Sequence, residues 1–426
     1  VTIQHHLKHL VPTPEQLAWQ RLELGMFFHF GMNTFHGKEW SDGTLPASSF
    51  DPSELDADEW VRLAVEAGAR YVVLTAKHHD GFCLWPTATT DYSVVSSPWR
   101  EGRGDVVAEV ARACRDAGIG LGLYLSPWDR NHPAYADPDA YAEVYAEQLT
   151  ELCTRYGPLV ELWFDGAGSE GYVYDWERTM AIIHEHQPQA MVFNMGAPTI
   201  RWVGNEDGIA SDPVEYTVSH TQMSNYTIVT TQFADALYLP PECDVSVRRG
   251  WFWHPDDEPK TLEHLMAIYY RSVGMGANLL LNVPPDTRGR IDPADAEVIR
   301  ALGGEIRRRF GAPVPAALER AGDGRWSAVL GDEAVTFDHV LVREDLSRGQ
   351  RVGAHRLRVD GDDVGSGLTI GANRLHATGT RTARVIELEV DGDDPVIDQV
   401  LVYRTGELVA PTVPEGYVAP TAYPED

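Results

Sequence analysis

The chain has 426 residues, and its 35 Lys and Arg stand against 64 Asp and Glu, a formal net charge of −29. So acidic a surface repels nucleic acid and anionic membranes but is indifferent to a neutral ligand. At 43% hydrophobic, with no apolar run near the ~18 residues of a membrane span, it reads as globular and too long for one ordinary core. Cys83, Cys114, Cys153 and Cys243 are far apart and form no CxxC pair, so zinc-ribbon and redox motifs are unsupported. The first residues, from Val1, are polar and His-bearing without a signal-peptide pattern, which leaves the compartment open.

In chain order, Leu24 to Gly31 (LGMFFHFG) reads as a buried strand with His29 near its end. Asn33 to Gly43 is a polar, aromatic loop that contains Glu39 and Trp40. Asp56 to Ala67 is a predicted helix, with Trp60, Leu63, Ala64 and Ala67 at helical spacing and Gly68 as its stop. A unit of helix, glycine, apolar strand and polar or aromatic tail then recurs three times. Gly68 leads to Tyr71–Ala76 and the tail KHHDGF, which holds His78 and His79. Gly118 follows a helix over Asp105–Ala117 and leads to Ile119–Leu125, which includes Tyr124 and has the tail SPWD. Gly157 follows a helix over Pro138–Tyr156 and leads to Val160–Gly166.

That last strand, VELWFDG, is almost wholly apolar. Side chains alternate along a strand, so Trp163 and Asp165 share one face and Leu162 and Phe164 the other. Burying an unpaired carboxylate is expensive, which marks Asp165 as functional, although an Asx turn closing the strand is the plainer reading. A further helix over Trp176–His186 and strand over Ala190–Asn194 continue the pattern. Residues 199–254 are less regular and carry several aromatics. Thr261–Gly274 then reads as a helix and Asn278–Val283 as a strand. Six or seven βα units before residue 310 imply a (β/α)8 barrel, an α/β fold whose active sites lie at the C-terminal ends of the strands. The polar tails all fall there.

A helix over Asp292–Phe310 and a Pro-marked linker separate an expected barrel, residues 1–312, from residues 313–426. The latter show short strand-like runs at Ala334–Phe337, His355–Val359, Val385–Val390 and Val396–Tyr403, with Gly/Asp turns between them. This is the pattern of a C-terminal β-sandwich, whose commoner role is packing against the barrel, with carbohydrate binding as the alternative.

FHFGMN at 28–33, Glu39-Trp40, KHHDGF at 77–82, Leu123-Tyr124, LWFDG at 162–166, Trp251-Phe252-Trp253 and LLLNV at 279–283 occur in the order typical of one family. Over about the first 310 residues the chain resembles the α-L-fucosidases of glycoside hydrolase family 29. The resemblance implies a (β/α)8-like barrel followed by a β-sandwich, retaining hydrolysis of terminal α-L-fucose, no cofactor and no metal. It makes Asp165 the nucleophile. The stretch RWVGNEDG at 201–208 is similar to the subgroup acting on α-1,3/1,4-linked fucose in branched glycans, with Glu206 as acid/base. It implies a fucose-binding set of His29, Glu39, Trp40, His78, His79, Tyr124, Trp163 and one of Trp251 or Trp253, with Trp251 favoured. The partner is then a fucosylated oligosaccharide or glycoconjugate.

Retaining hydrolysis needs one ionised carboxylate and one carboxyl that holds a proton, and histidines, tyrosine and aromatic rings suit a 6-deoxy sugar. Asp207, Glu170 and Glu215 compete with Glu206, and Asn205 to Gly208 could be an ordinary turn. A metal-dependent hydrolase using His29, His78 or His79, and Asp165 is the rival enzyme reading. Against it, adjacent histidines on an extended segment point to opposite faces, and no HExxH spacing appears. A non-catalytic sugar-binding protein is the third reading.

Overall fold

The structure, a computed structural model, describes residues 10–222 and 230–417. The opening segment from Val1 and the tract 223–229 of the aromatic-bearing stretch lie outside the described residues. After α1 (Pro14–Gln20), the chain runs through β1 (Leu24–Phe28), α2 (Met32–His36), α3 (Ala57–Ala67), β2 (Tyr71–Lys77), α4 (Val106–Ala117), β3 (Gly120–Leu125) and α5 (Pro138–Arg155). There follow β4 (Leu159–Trp163), α6 (Trp176–His186) and β5 (Met191–Phe193). The caps are those the sequence signals. Asp56 and Asp105 accept the backbone N–H three residues on, at 3.0 and 2.8 Å, and Gly68 and Gly118 end their helices in the left-handed region.

Beyond β5 the pattern changes. β6 (Arg201–Trp202) follows without a helix, and the less regular stretch after it holds an antiparallel hairpin of β7 (Thr217–Gln222) and β8 (Thr230–Tyr238). β9 (Pro241–Ser246), α7 (Leu262–Arg271), β10 (Asn278–Asn282) and α8 (Pro293–Phe310) complete the first body. The parallel order is β5-β4-β3-β2-β1-β10-β9-β6, and a parallel bridge from Phe193 to Ile200 brings the two edges together. This is the expected (β/α)8-like barrel, with its helical layer thinned between the fifth and seventh strands.

β9 is not foreseen from the sequence. Its residues PECDVS place Glu242, Asp244 and Ser246 on one face and Cys243 and Val245 on the other, all buried. The polar face turns into the barrel and the apolar face joins the layer beneath the helices. The hydrophobic pattern is therefore inverted, and a strand search on apolar content passes over it. Inside the barrel, Phe27, Tyr71, Tyr124, Trp163, Phe193, Trp202 and Leu280 pack together, apart from the main core. Gly25 makes room for this layer: a Cβ there would lie 2.4 Å from the Tyr71 ring.

The remainder is a two-sheet β-sandwich. One sheet orders β11 (Val314–Pro315), β19 (Ile397–Tyr403), β14 (Val335–Glu344) and β17 (Arg374–Ala383). The other orders β12 (Ala317–Gly322), β13 (Arg325–Val329), β18 (Val385–Gly392), β15 (Val352–Val359) and β16 (Asp362–Gly367). The four predicted runs fall in β14, β15, β18 and β19. β12, β16 and β17 were missed because they are charged or rich in Gly and Thr.

The sandwich is tied to the barrel by buried polar contacts. Tyr216 donates its hydroxyl to the Gly276 carbonyl at 2.6 Å and accepts from the Ala372 N–H at 2.8 Å. Arg374 reaches Asp212 at 2.6 Å, and Asn373 and Arg343 reach Glu23. Replacing the buried hydroxyl strands a donor and an acceptor. Tyr216→Phe is therefore expected to lower unfolding stability by about 1–3 kcal/mol with activity per folded molecule unchanged, measured by denaturant titration beside kinetics.

Candidate active site

The C-terminal ends of the barrel strands surround a cavity open to solvent. Every barrel strand but β10, or the loop that follows it, contributes to it. His29 follows β1, and Glu39 and Trp40 come from the loop after α2. His78 follows β2, Tyr124 lies in β3, and Trp163 and Asp165 come from the end of β4. Glu206 lies on the loop after β6 and Trp251 on the loop after β9. Of the site residues expected from the sequence, only His79 is not among those lining the wall. Its Nε2 is 3.5 Å from Asp165 Oδ2, so it supports the carboxylate from behind.

Trp163 and Asp165 line the cavity, while Leu162 and Phe164 belong to the outer core, with Phe164 also reaching the cavity wall. The Trp163 ring lies flat on Phe193 at 3.8 Å and is stacked with Tyr124 at 5.5 Å. Its indole N–H donates to Glu242 at 3.0 Å, and Glu242 also accepts from the Tyr71 hydroxyl at 2.5 Å. Asp165 accepts from the Tyr124 hydroxyl at 3.1 Å and from the Ala167 N–H at 3.0 Å. The Asx turn read from the sequence thus exists and coincides with the site. Burial pushes the Asp165 carboxyl up, but His79, Ala167 N–H and Tyr124 outweigh it, and its pKa falls below the ordinary aspartate value.

One expectation is corrected. His78 and His79 do not point to opposite faces: β2 ends at Lys77, the pair sits in a turn, and the two rings are 4.2 Å apart. The turn is braced from below, where buried Lys77 meets Asp129 at 3.1 Å, Tyr141 at 2.8 Å and Gln148 at 2.8 Å. Asp80 caps it through the Phe82 N–H at 2.7 Å. His78 stacks on Tyr124 and is held neutral by burial and then by His79 and His29. His29 is likewise depressed by burial, to about 3.

Glu39 is buried, and its two oxygens accept from the N–H groups of Trp251 at 2.8 Å and Phe252 at 3.3 Å. Burial pushes it up to about 8, with Asp257 and Glu206 adding to the rise. Trp40 stands edge-on to His79 and Trp128. Trp251 lines the cavity, 5.1 Å from the His29 ring. Trp253 turns away, donating to Asp292 at 3.2 Å, because this segment is a bend and not a strand.

Glu206 sits in a turn made by Asn205, whose Oδ1 accepts from Asp207 N–H at 3.0 Å and whose Nδ2 donates to the Ile209 carbonyl at 2.8 Å. The ordinary turn is what delivers Glu206 to the cavity; Asp207, Glu170 and Glu215 do not line it. Sequence reasoning missed Asn194, Trp202, Asp244 and Phe193. Asp244 accepts from the Trp202 indole N–H at 2.6 Å, and its pKa stands well above the ordinary value through burial and then Glu206. Asn194, at φ 60°, accepts from Trp202 N–H at 3.1 Å and donates to Gln222. Alternation within PECDVS was the one available signal for Asp244. Among the described residues no three His, Cys, Asp or Glu side chains gather as a metal site, and no helix is long and apolar enough to cross a membrane.

The sequence profile of the family described as Alpha-L-fucosidase matches residues 3–308. The chain belongs to glycoside hydrolase family 29, the α-L-fucosidases. It is 38% identical to Alpha-L-fucosidase 1 of Arabidopsis thaliana, over 92% of this chain and 87% of that protein. A glycoside hydrolase 29 family member from an unknown rumen bacterium superposes with a TM-score of 0.83 at 36% identity, covering 94% of this chain and 78% of that one. The Ruminococcus gnavus GH29 fucosidase, solved in complex with fucose, superposes with a TM-score of 0.81 at 31% identity, covering 93% and 95%. The activity is that of an α-L-fucosidase glycoside hydrolase, and a fucosylated glycan is the substrate this membership implies.

Proposed function

We propose that the chain is a retaining exo-α-L-fucosidase that releases α-1,3- or α-1,4-linked fucose from branched, Lewis-type glycans. The observation that carries the reading is that Asp165 and Glu206 line one cavity. Donors converge on Asp165 and favour its anion, as a nucleophile requires. Glu206 lines the same cavity as Asp244 and Glu39, two carboxyls that burial pushes up.

In the first step an Asp165 oxygen attacks the anomeric carbon, the glycosidic C–O bond breaks, and Glu206 gives its proton to the departing oxygen. The result is a fucosyl ester on Asp165. Glu206 then takes a proton from water as that water attacks the anomeric carbon, which frees Asp165 and returns fucose with its α configuration. His29, Glu39, Trp40, His78, Tyr124, Trp163 and Trp251 form the fucose-binding wall, and His79 steadies Asp165. The R. gnavus enzyme's fucose complex supports a pocket for that sugar. The sandwich packs against the barrel, as its ties through Tyr216 and Arg374 favour.

The α-1,3/1,4 preference rests on the sequence around Glu206 and on the 199–254 stretch, which supplies Trp202, Glu206, Asp244 and Trp251 to the cavity wall. Contacts to the galactose beside fucose would help only the branched substrate reach the transition state.

Asp165→Asn is expected to fold and to lose at least about 10³-fold in kcat, roughly 4 kcal/mol of barrier. Retention of more than about a tenth of wild-type turnover, under roughly 1.4 kcal/mol, would remove Asp165 as nucleophile. In Glu206→Ala, hydrolysis of a natural glycan is expected to fall far more than that of an activated aryl fucoside. Azide is expected to restore turnover on the aryl substrate and to yield the α-fucosyl azide, detected by NMR; equal losses with no azide product would assign the proton transfer elsewhere. For linkage, kcat/KM on Lewis a trisaccharide is expected to exceed that on both 2′-fucosyllactose and an aryl fucoside. A preference for either of the latter overturns the linkage reading and leaves the fucosidase standing.

A further inference from the structure

Asn282 ends β10 with its side chain completely buried, and its hydrogen bonds reach two elements besides its own. Nδ2 donates to the Trp251 carbonyl at 2.8 Å and to Ser246 Oγ at 2.9 Å. A carbonyl can only accept, so the amide nitrogen must face Trp251, and the orientation of the amide is decided by chemistry. Ser246 agrees: its own proton goes to the Gly250 carbonyl at 2.7 Å, which leaves its lone pairs for Asn282 and the Arg248 N–H. Asn282 Oδ1 therefore faces His29, 3.2 Å from its backbone N–H and 2.9 Å from ring Nδ1.

The His29 ring is constrained in turn. An amide oxygen cannot donate, so Nδ1 carries the ring proton and Nε2 of the neutral ring is a bare lone pair. Among the described residues no protein group bonds to Nε2, and His29 lines the cavity. The groups around the ring are Asp165, His78 and His79, with Phe27, Tyr124, Trp251 and Phe252 as aromatic walls. Burial opposes a second proton on His29 more strongly than the Asn282 hydrogen bond and then Asp165 favour it.

We propose that Asn282 is a positioning residue of this site, which locks His29 in the Nδ1–H tautomer and thereby sets the hydrogen-bond polarity that the sugar meets. A hydroxyl placed against His29 must donate to it, and an acceptor there is refused. The same amide anchors Trp251 by its carbonyl, while Glu39 anchors it by its N–H. One side chain thus couples a polar contact to an aromatic wall contributed by a different strand. The consequence for substrate rests on reading the cavity as the fucose site; the tautomer itself does not.

Asn282→Asp tests the consequence. The new carboxylate beside Nδ1 raises the His29 pKa, and below that pKa the ring is an imidazolium whose Nε2 donates. The deficit in kcat/KM relative to wild type is expected to be about tenfold or more near about pH 5 and to shrink as pH rises to about 8. Asn282→Ala adds no charge, and its deficit is expected to be constant with pH. A constant deficit in Asn282→Asp, or an equally pH-dependent one in Asn282→Ala, overturns the proposal. Wild-type protein labelled with nitrogen-15 gives a reading that does not depend on turnover. Long-range proton–nitrogen correlations, with His29 assigned by its loss in His29→Phe, are expected to show a neutral Nδ1–H ring across the same pH range. An Nε2–H pattern, or a ring that titrates in that range, overturns the proposal even if the fucosidase activity is confirmed.

Discussion

An anion must survive in a cavity walled by aromatic rings, and the arrangement of the barrel mouth follows from that demand. Desolvation works against the Asp165 charge, and the Tyr124 hydroxyl, the Ala167 N–H and His79 work for it. Each supporter is itself held. Tyr124 stacks between Trp163 and His78, and His79 Nδ1 meets Ser126 Oγ at 2.7 Å. The β2 turn that carries both histidines rests on the buried Lys77–Asp129 pair. Preorganised donors of this kind need no rearrangement as charge develops and moves, which makes such a site effective in a low-dielectric cavity.

The opposite wall follows the reverse logic. β9 turns Glu242 and Asp244 into a barrel interior where burial favours their neutral forms. Glu242 and Glu161 form a coupled buried pair, both pushed up by burial, whose partners are indole and phenol donors: Trp163, Tyr71 and Trp19. Carboxyls in this layer act as acceptors that orient aromatic rings. Asp244 extends the same arrangement one step toward the mouth through Trp202, near Glu206. In the proposed mechanism the anion is on the Asp165 side and the proton donor, Glu206, stands near Asp244.

The helical layer of the barrel is incomplete where the cavity walls are built from loops. With no helix between β5 and β6, the residues from Asn194 to Glu206 supply Asn194, Met195, Trp202 and Glu206 to the cavity wall. Cross-links from this stretch, such as Asn194 to Trp202 and to Gln222, replace the packing that a helix would have supplied. The sandwich closes over the other side of this region through Tyr216 and Asp212.

Local chemistry sufficed for much of this. Capped helices stopped by Gly68 and Gly118, with apolar strands between them, determined the alternation of the first half, because periodicity and caps are short-range signals. The polar tails after each strand marked His29, His78, Asp165 and their neighbours as candidates, since a buried strand that ends in ionisable groups needs a reason. Tertiary structure alone decided the rest. β9 was invisible because its inward face is polar, and only the barrel around it reveals that this face is interior. The pairing of His78 with His79, the divergence of Trp251 from Trp253 and the delivery of Glu206 by the Asn205 turn depend on backbone bends that residue types do not dictate. Asn282 is the clearest case. In the sequence it is one polar residue at the end of an apolar strand, and its partners, His29 and Trp251, lie 253 and 31 residues away. Its effect on the ring proton of His29 exists only because the closed barrel sets those strand ends side by side.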